Sequence, residues 1–251
     1  MNIKGKELGK GRPFVCVPIV EQEREDIVRA AESLKKKPAD MIEWRIDWYC
    51  NSTSIEEVCD IVSTLSEILT DKILLCTFRS KAQGGEKEIT REDYMELLQN
   101  LAKQGKADML DVEVCELEQP KPFLAELHQM GAVVIASDHN FSETPSTDIM
   151  AEKLLYMKNL GADVAKLAVM PNNRYDVLNL LSATASVKEA APEYPVITMS
   201  MGETGMISRI AGQSFGSCVT FAAAGKTSAP GQMPLEDVVM ILNKISESME
   251  K

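Results

Sequence analysis

The chain has 251 residues, 45% of them hydrophobic and 26% charged, which suits one barrel-sized core or two small ones. Its 27 Lys and Arg against 38 Asp and Glu leave a formal charge of -11, a field that repels nucleic acid and anionic membrane surfaces. An anionic small substrate would need a local cationic pocket, and no apolar run approaches the ~20 residues of a membrane-spanning helix.

Six cysteines (Cys16, Cys50, Cys59, Cys76, Cys115, Cys218) are scattered without a C-x-x-C pair and are expected to be reduced core thiols. The N-terminal stretch MNIKGKELGKGRPF lacks the apolar core of a signal peptide, so the cytoplasm is the expected compartment.

In chain order, 1–13 is basic and glycine-punctuated, with Ile3 and Leu8 its only large apolar residues. A small hairpin or tail outside the core is expected there. From Phe14 onward, apolar runs near 14–20, 41–47, 73–79, 107–114, 132–137, 162–169, 195–201 and 215–222 read as strands. Helical patterns fall near 21–36, 54–70, 90–105, 120–131, 146–160, 174–191, 204–212 and 234–249, with Ser54, Thr90 and Ser146 as caps. Eight strand–helix units in about 240 residues predict a (β/α)8 TIM barrel, whereas a doubly wound sheet usually has fewer strands and a glycine-rich first turn. No linker interrupts the pattern, so residues 1–251 are expected to form a single domain.

Alternate residues of a strand share a face. That places Glu43, Arg45 and Asp47 together on one strand, Thr77 and Arg79 on the next, then Asp111 and Glu113, then Ser137 and His139. Their partners on the opposite face are mostly apolar, so these polar faces are expected to point into the barrel. That is more charge than a packed interior tolerates unpaired, and it marks a site. Asp47, Asp111 and Glu113 are expected to hold Arg45 and Arg79 in place rather than to do chemistry.

Lys166 stands alone in the apolar run ADVAKLAVMP (162–171), which reads as a strand buried on both faces. Burial would favour a neutral, nucleophilic amine able to form a Schiff base with a carbonyl compound. The other reading of this segment is a lysine whose head reaches water or pairs with a carboxylate. His139 ends the preceding strand in SDHNF (137–141) and could serve as general acid or base. His128, in FLAELHQM, reads as a solvated or partly packed helix residue.

ADVAKLAVMP, SDHNF, IEWRID, TFRS followed by GGE, TMSMGETGMISR and SAPGQ occur in compatible order, and together they resemble the type I 3-dehydroquinate dehydratase family from about Phe14 to Gln232. The resemblance implies a Schiff-base dehydration of 3-dehydroquinate to 3-dehydroshikimate in the shikimate pathway. It implies Lys166 as the amine and His139 as the proton carrier, with Glu43, Arg45, Arg79 and Arg209 holding the substrate. Ser228 and Gln232 would close over it, and Met199, Met201 and Phe221 would line the pocket. It also implies a homodimer that needs no cofactor and no metal, with a small-molecule substrate and neither nucleic acid nor membrane as partner. One position departs from the pattern: Gln83 stands where the family usually has Glu. An amide can accept a hydrogen bond from His139 but supplies no charge, so a slower enzyme with its acid limb at lower pH is expected.

Two alternatives compete. One is a Schiff-base aldolase on the same barrel, whose phosphorylated substrate would use loops containing Gly202, Gly205, Gly225 and Gly231. The other is a weakened barrel that only binds quinate-like acids. The AGKTS stretch (224–228) is no P-loop, because the motif's first glycine would fall on Thr220, inside a strand.

Overall fold

The computed structural model describes residues 1–249. A two-stranded antiparallel hairpin, β1 (Asn2–Ile3) and β2 (Lys6–Glu7), precedes eight parallel strands. These are β3 (Phe14–Ile19), β4 (Met41–Arg45), β5 (Ile73–Thr77), β6 (Met109–Glu113), β7 (Val134–Asn140), β8 (Val164–Val169), β9 (Val196–Ser200) and β10 (Val219–Phe221), in the order β10-β3-β4-β5-β6-β7-β8-β9. The seam between β9 and β10 is closed by single contacts. The Cys218 N–H donates to the Val196 carbonyl at 2.8 Å, and Ser217 Oγ accepts from the Thr198 N–H at 3.0 Å. The result is the expected (β/α)8 barrel. No helix among the described residues is long and apolar enough to cross a membrane.

The first six strand–helix units close with α1 (Arg24–Lys35), α2 (Ile55–Ile68), α3 (Arg91–Gln104), α4 (Pro120–Gln129), α5 (Thr147–Leu160) and α6 (Arg174–Ala190). Ser54 and Thr90 cap α2 and α3 by accepting from the N–H groups of Glu57 and Asp93. Ser146 precedes α5 but makes no such bond. Asn173, not singled out in the sequence, caps α6 in a reciprocal box with Asp176. The single helix expected over 204–212 is instead three short turns, α7 (Gly202–Gly205), α8 (Ile207–Ile210) and α9 (Gly212–Phe215), before the final helix α10 (Leu235–Met249).

The period of two divides the apolar residues into two separate cores. Outward residues such as Val15, Ile42, Trp44, Leu74, Val112, Ala136 and Leu167 pack against the helices. Inward residues Phe14, Met41, Ile73, Met109, Ile135 and Val164 fill the N-terminal end of the barrel, and Ile3 and Leu8 pack against them. The hairpin was expected to lie outside the core; it is instead the barrel's floor. An inward layer that is apolar on nearly every strand leaves a greasy mouth that has to be covered. Lys4 and Gly5, both at positive φ (49° and 76°), make the tight two-residue turn. The Lys4 ammonium then ties the hairpin to Asp108 at 2.7 Å.

The cysteines are a smaller correction, while His128 on α4 is partly packed as expected. Cys16, Cys76 and Cys218 are buried as expected, but Cys50 and Cys115 lie in turns after β4 and β6 and are exposed, with Cys59 between the extremes. His128 is half-buried, and its Nε2 lies 2.9 Å from Asp163 Oδ2.

Candidate active site

Above the apolar floor, the inward positions of the strands turn polar, which places the charged groups toward the C-terminal end of the barrel. Ser137, Lys166 and Ile197 are in register across β7, β8 and β9, with His139, Ala168 and Met199 one layer higher. The residues assigned catalytic or substrate-binding roles from the sequence, with Gln83, all border one cavity: Glu43, Arg45, Arg79, Gln83, His139, Lys166, Met199, Met201, Arg209, Phe221, Ser228 and Gln232; Asp47, Thr77, Asp111, Glu113 and Ser137 do not line it. It encloses about 480 Å³ of empty space, its open mouth included. Gly84, Phe141, Ala168 and Ala229 also border it and were not assigned from the sequence. Ala168 and Phe141 were accessible to the same period-two argument, lying two residues beyond Lys166 and His139.

Lys166 is 3% exposed. Its ammonium hydrogen-bonds Asp111 at 2.8 Å, lies 3.8 Å from Glu43 and sits 4.8 Å above the Phe221 ring. Asp111 was expected only to hold an arginine; it bridges Arg79, at 2.8 Å, and Lys166. Burial opposes its charge, but Arg79 and Lys166 beside it pull its carboxyl far below the usual carboxylate range. Glu113 pairs with Arg79 at 2.7 Å and accepts from the Ser80 N–H at 2.9 Å. Burial raises its carboxyl against the pull of Arg79. Glu43 accepts from Thr77 Oγ1 at 2.9 Å.

Asp47 lies beyond the end of β4, in a short 3-10 turn (Ile46–Trp48), rather than on the strand as expected. It still braces the site. Its carboxylate accepts from Arg45 Nε and Nη2 at 2.8 and 2.7 Å, and from the backbone N–H groups of Arg79 and Glu86 at 3.2 and 3.1 Å.

Gln83 follows Arg79 on a 3-10 turn (Lys81–Gln83) and is 2% exposed. The two glycines after it are dictated by close approach. Gly84 has φ 81°, and a Cβ there would meet the Phe141 ring at 2.2 Å; one on Gly85 would meet the Arg79 carbonyl oxygen at 1.9 Å. The His139 backbone N–H donates to Gln83 Oε1 at 3.1 Å, and His139 Nδ1 lies 3.0 Å from the same oxygen. Because a backbone N–H can only donate, the amide must present its oxygen here. Nδ1 therefore carries the proton and Nε2 keeps its lone pair. Phe141 stacks on the imidazole, with centroids 6.5 Å apart and planes at 21°. Burial first, then Arg79 and Lys166, push the imidazole well below its ordinary pKa, against the opposing pull of Asp111. The free site thus holds a neutral histidine at neutral pH.

Arg209, on α8, is 1% exposed. Its Nη2 donates to the Pro230 carbonyl at 2.9 Å, its Nη1 lies 4.0 Å from the Met199 sulfur, and its Nε has no partner. Burial alone brings the guanidinium down to about 10. No carboxylate among the described residues lies within ion-pair distance of it, in contrast to Arg45, Arg79 and Lys166. On the neighbouring loop, Ser228 and Gln232 bond each other. The Ser228 N–H donates to Gln232 Oε1, and Gln232 Nε2 donates to Ser228 Oγ, both at 3.0 Å.

Comparison with known proteins adds a family to this geometry. The sequence profile of the family described as type I 3-dehydroquinase matches residues 15–249. A 3-dehydroquinate dehydratase of Clostridium kluyveri is 40% identical over 248 residues, which is 98% of this chain and 97% of that protein. Among solved structures, a type I 3-dehydroquinate dehydratase from Clostridium difficile, crystallised with covalently modified comenic acid, superposes with a TM-score of 0.95 at 39% identity. The match covers 99% of this chain and 98% of that one. A 3-dehydroquinate dehydratase from Geobacillus kaustophilus also reaches a TM-score of 0.95, at 31% identity and 98% and 96% coverage.

Proposed function

Because the chain belongs to the type I 3-dehydroquinase family, we propose that it is the hydro-lyase converting 3-dehydroquinate to 3-dehydroshikimate through a Schiff base on Lys166. The observation that carries this reading is Arg209. A buried guanidinium without a carboxylate is costly unless an anion arrives to pair with it, and its forked donors suit the carboxylate of a quinate-like acid.

With the acid held by Arg209, the Lys166 ammonium sheds one proton so that its amine adds to the ring ketone; the ketone oxygen then leaves as water, carrying that proton and a second from the nitrogen, and an iminium remains. Its positive charge acidifies the neighbouring C–H. His139 Nε2 takes that proton, leaving an enamine and an imidazolium. The enamine expels the β-hydroxyl as His139 returns its proton to the leaving oxygen, so water departs. Hydrolysis of the conjugated iminium returns Lys166 and releases the enone acid. Glu43, Arg45 and Arg79 contact the ring hydroxyls, Met199, Met201 and Phe221 bound its apolar face, and Ser228 and Gln232 cover the mouth. The whole chain works as one barrel domain, in the shikimate pathway, as a cytoplasmic homodimer; compartment and assembly rest on the family alone.

The aldolase alternative would need free backbone amides for a phosphate. The Gly202 N–H is already donated to the Pro230 carbonyl at 3.3 Å, and Gly231 presses on Gly202, where a Cβ would lie 2.4 Å from its carbonyl oxygen. A barrel that merely binds is disfavoured by the bond that still joins Gln83 to His139.

The test is appearance of enone absorbance on adding 3-dehydroquinate, with Arg209→Gln and Arg209→Lys alongside. Losing a charge-assisted bond costs ~1.5–3 kcal/mol, so Arg209→Gln should raise KM at least roughly tenfold, with Arg209→Lys between it and wild type. No enone from wild type, or an unchanged KM in Arg209→Gln, would contradict the reading.

A further inference from the structure

Gln83 leaves the imidazole without a carboxylate in direct contact, yet a carboxylate lies one side chain further out. Gln83 Nε2 donates to Glu116 Oε1 at 3.2 Å, while Gln83 Oε1 faces His139. We propose that Glu116 is a positioning residue for His139: its carboxylate fixes the direction of the Gln83 amide and supplies, through that amide, negative charge on the Nδ1 side of the ring. This rests on His139 being the proton carrier.

An amide can be turned end for end, and only its hydrogen-bond partners decide which way it points. Two donors on His139 select the oxygen end, and the acceptor-only carboxylate of Glu116 selects the NH2 end. A flipped amide would set N–H against N–H on one side and oxygen against oxygen on the other. Bonded as observed, the carboxylate, amide and imidazole form a chain in which each link polarises the next.

The side chain of Glu116 is exposed, and it is the backbone of this residue that is held in place. It ends a 3-10 turn (Val114–Glu116) after β6, and its carbonyl accepts from Arg91 Nε at 3.0 Å. No cation among the described residues pairs with its carboxylate: the nearby Arg91 and Lys81 pair with Glu118 and Glu88. The charge balance around His139 gives this carboxylate a purpose. Arg79 at the end of β5, Lys166 on β8 and Arg45 on β4 all oppose an imidazolium, while Asp111 on β6 favours one and Glu43 stands across the cavity beside Lys166. At Nδ1 the bonded group is the uncharged Gln83, and the uncharged Phe141 stacks on the face of the ring. Glu116, behind Gln83, is the acidic group there.

The chain has two histidines, so 15N NMR of the imidazoles in the intact protein can follow His139 directly, with His128 as internal reference. Wild type should show the Nδ1–H tautomer. Glu116→Gln keeps an acceptor but removes the charge, so it should retain the tautomer and lower the His139 pKa by a few tenths to about one pH unit. Glu116→Ala should lower the pKa and also admit the second tautomer. In turnover, both variants should lower kcat more than they alter KM, by roughly threefold to tenfold.

A background swap separates this from a merely structural effect. In Gln83→Glu, the carboxylate at 116 faces another carboxylate, so adding Glu116→Gln should leave kcat unchanged or raise it, reversing the sign seen with Gln83 present. Unchanged tautomer and pKa in both Glu116 variants would overturn the proposal, as would losses of equal sign and size in the two backgrounds. A wild-type protein that makes no enone would instead overturn the catalytic reading, and the NMR result would still decide whether Glu116 orients the ring.

Discussion

Four buried cations, Arg45, Arg79, Lys166 and Arg209, face one cavity, and among the described residues three of them have carboxylate partners while Arg209 has none. That asymmetry sets Arg209 apart, and it is the basis on which we propose that Arg209 pairs with the substrate carboxylate. His139 is the other residue whose state the fold imposes, and the imposition is measurable. The unfolded chain takes up its imidazole proton near pH 6.5, whereas burial, Arg79 and Lys166 delay uptake in the folded protein to lower pH. Between those two values the unfolded state binds more protons, so stability falls as pH falls. Denaturant midpoints from pH 7.5 to 5 should drop for wild type and drop less for His139→Asn; equal slopes would mean that the folded protein does not resist protonation at His139. At this scale the sequence was informative about facing and poor about pairing. Period two identified Glu43, Arg45 and Asp111 as inward, but not that Asp111 would join Arg79 to Lys166. Nor could it place Glu116 behind Gln83, because those residues lie on turns after different strands.

Secondary-structure elements were legible where periodicity is long and failed where packing overrides it. Residues 204–212 carry a helical pattern, yet the chain there breaks into three turns. Gly202 takes φ 67°, and Gly205 lies so close to β9 that a Cβ would fall 2.3 Å from the Ser200 carbonyl. The broken path turns Arg209 inward, where a surface helix would have left it in water. The N-terminal hairpin is the second case. Its composition suggested a tail, because burial of Ile3 and Leu8 depends on an apolar mouth formed by residues from most of the strands. Leu8 is 2% exposed, so Leu8→Ala should destabilise the fold by ~2–4 kcal/mol in urea titration. The hairpin covers the opposite end of the barrel from Lys166 and His139, so kcat should stay at its wild-type value. A stability within ~0.5 kcal/mol of wild type would return the hairpin to the status of a tail.

For the molecule as a whole, the eight-fold alternation made the barrel visible before any contact was known, and the inward and outward faces of its strands became the two cores. The net charge of -11 and a mouth lined by arginines form one arrangement: a body that repels anions generally, with one place that accepts them. The central claim is that a nucleophilic lysine sits at the base of that place. The measurement that tests it most directly is the intact mass of the purified protein after incubation with 3-dehydroquinate and borohydride, beside Lys166→Ala. The account predicts a reduced covalent adduct, one substrate per chain, on wild type alone. Wild type without an adduct, or an adduct that persists in Lys166→Ala, would contradict it.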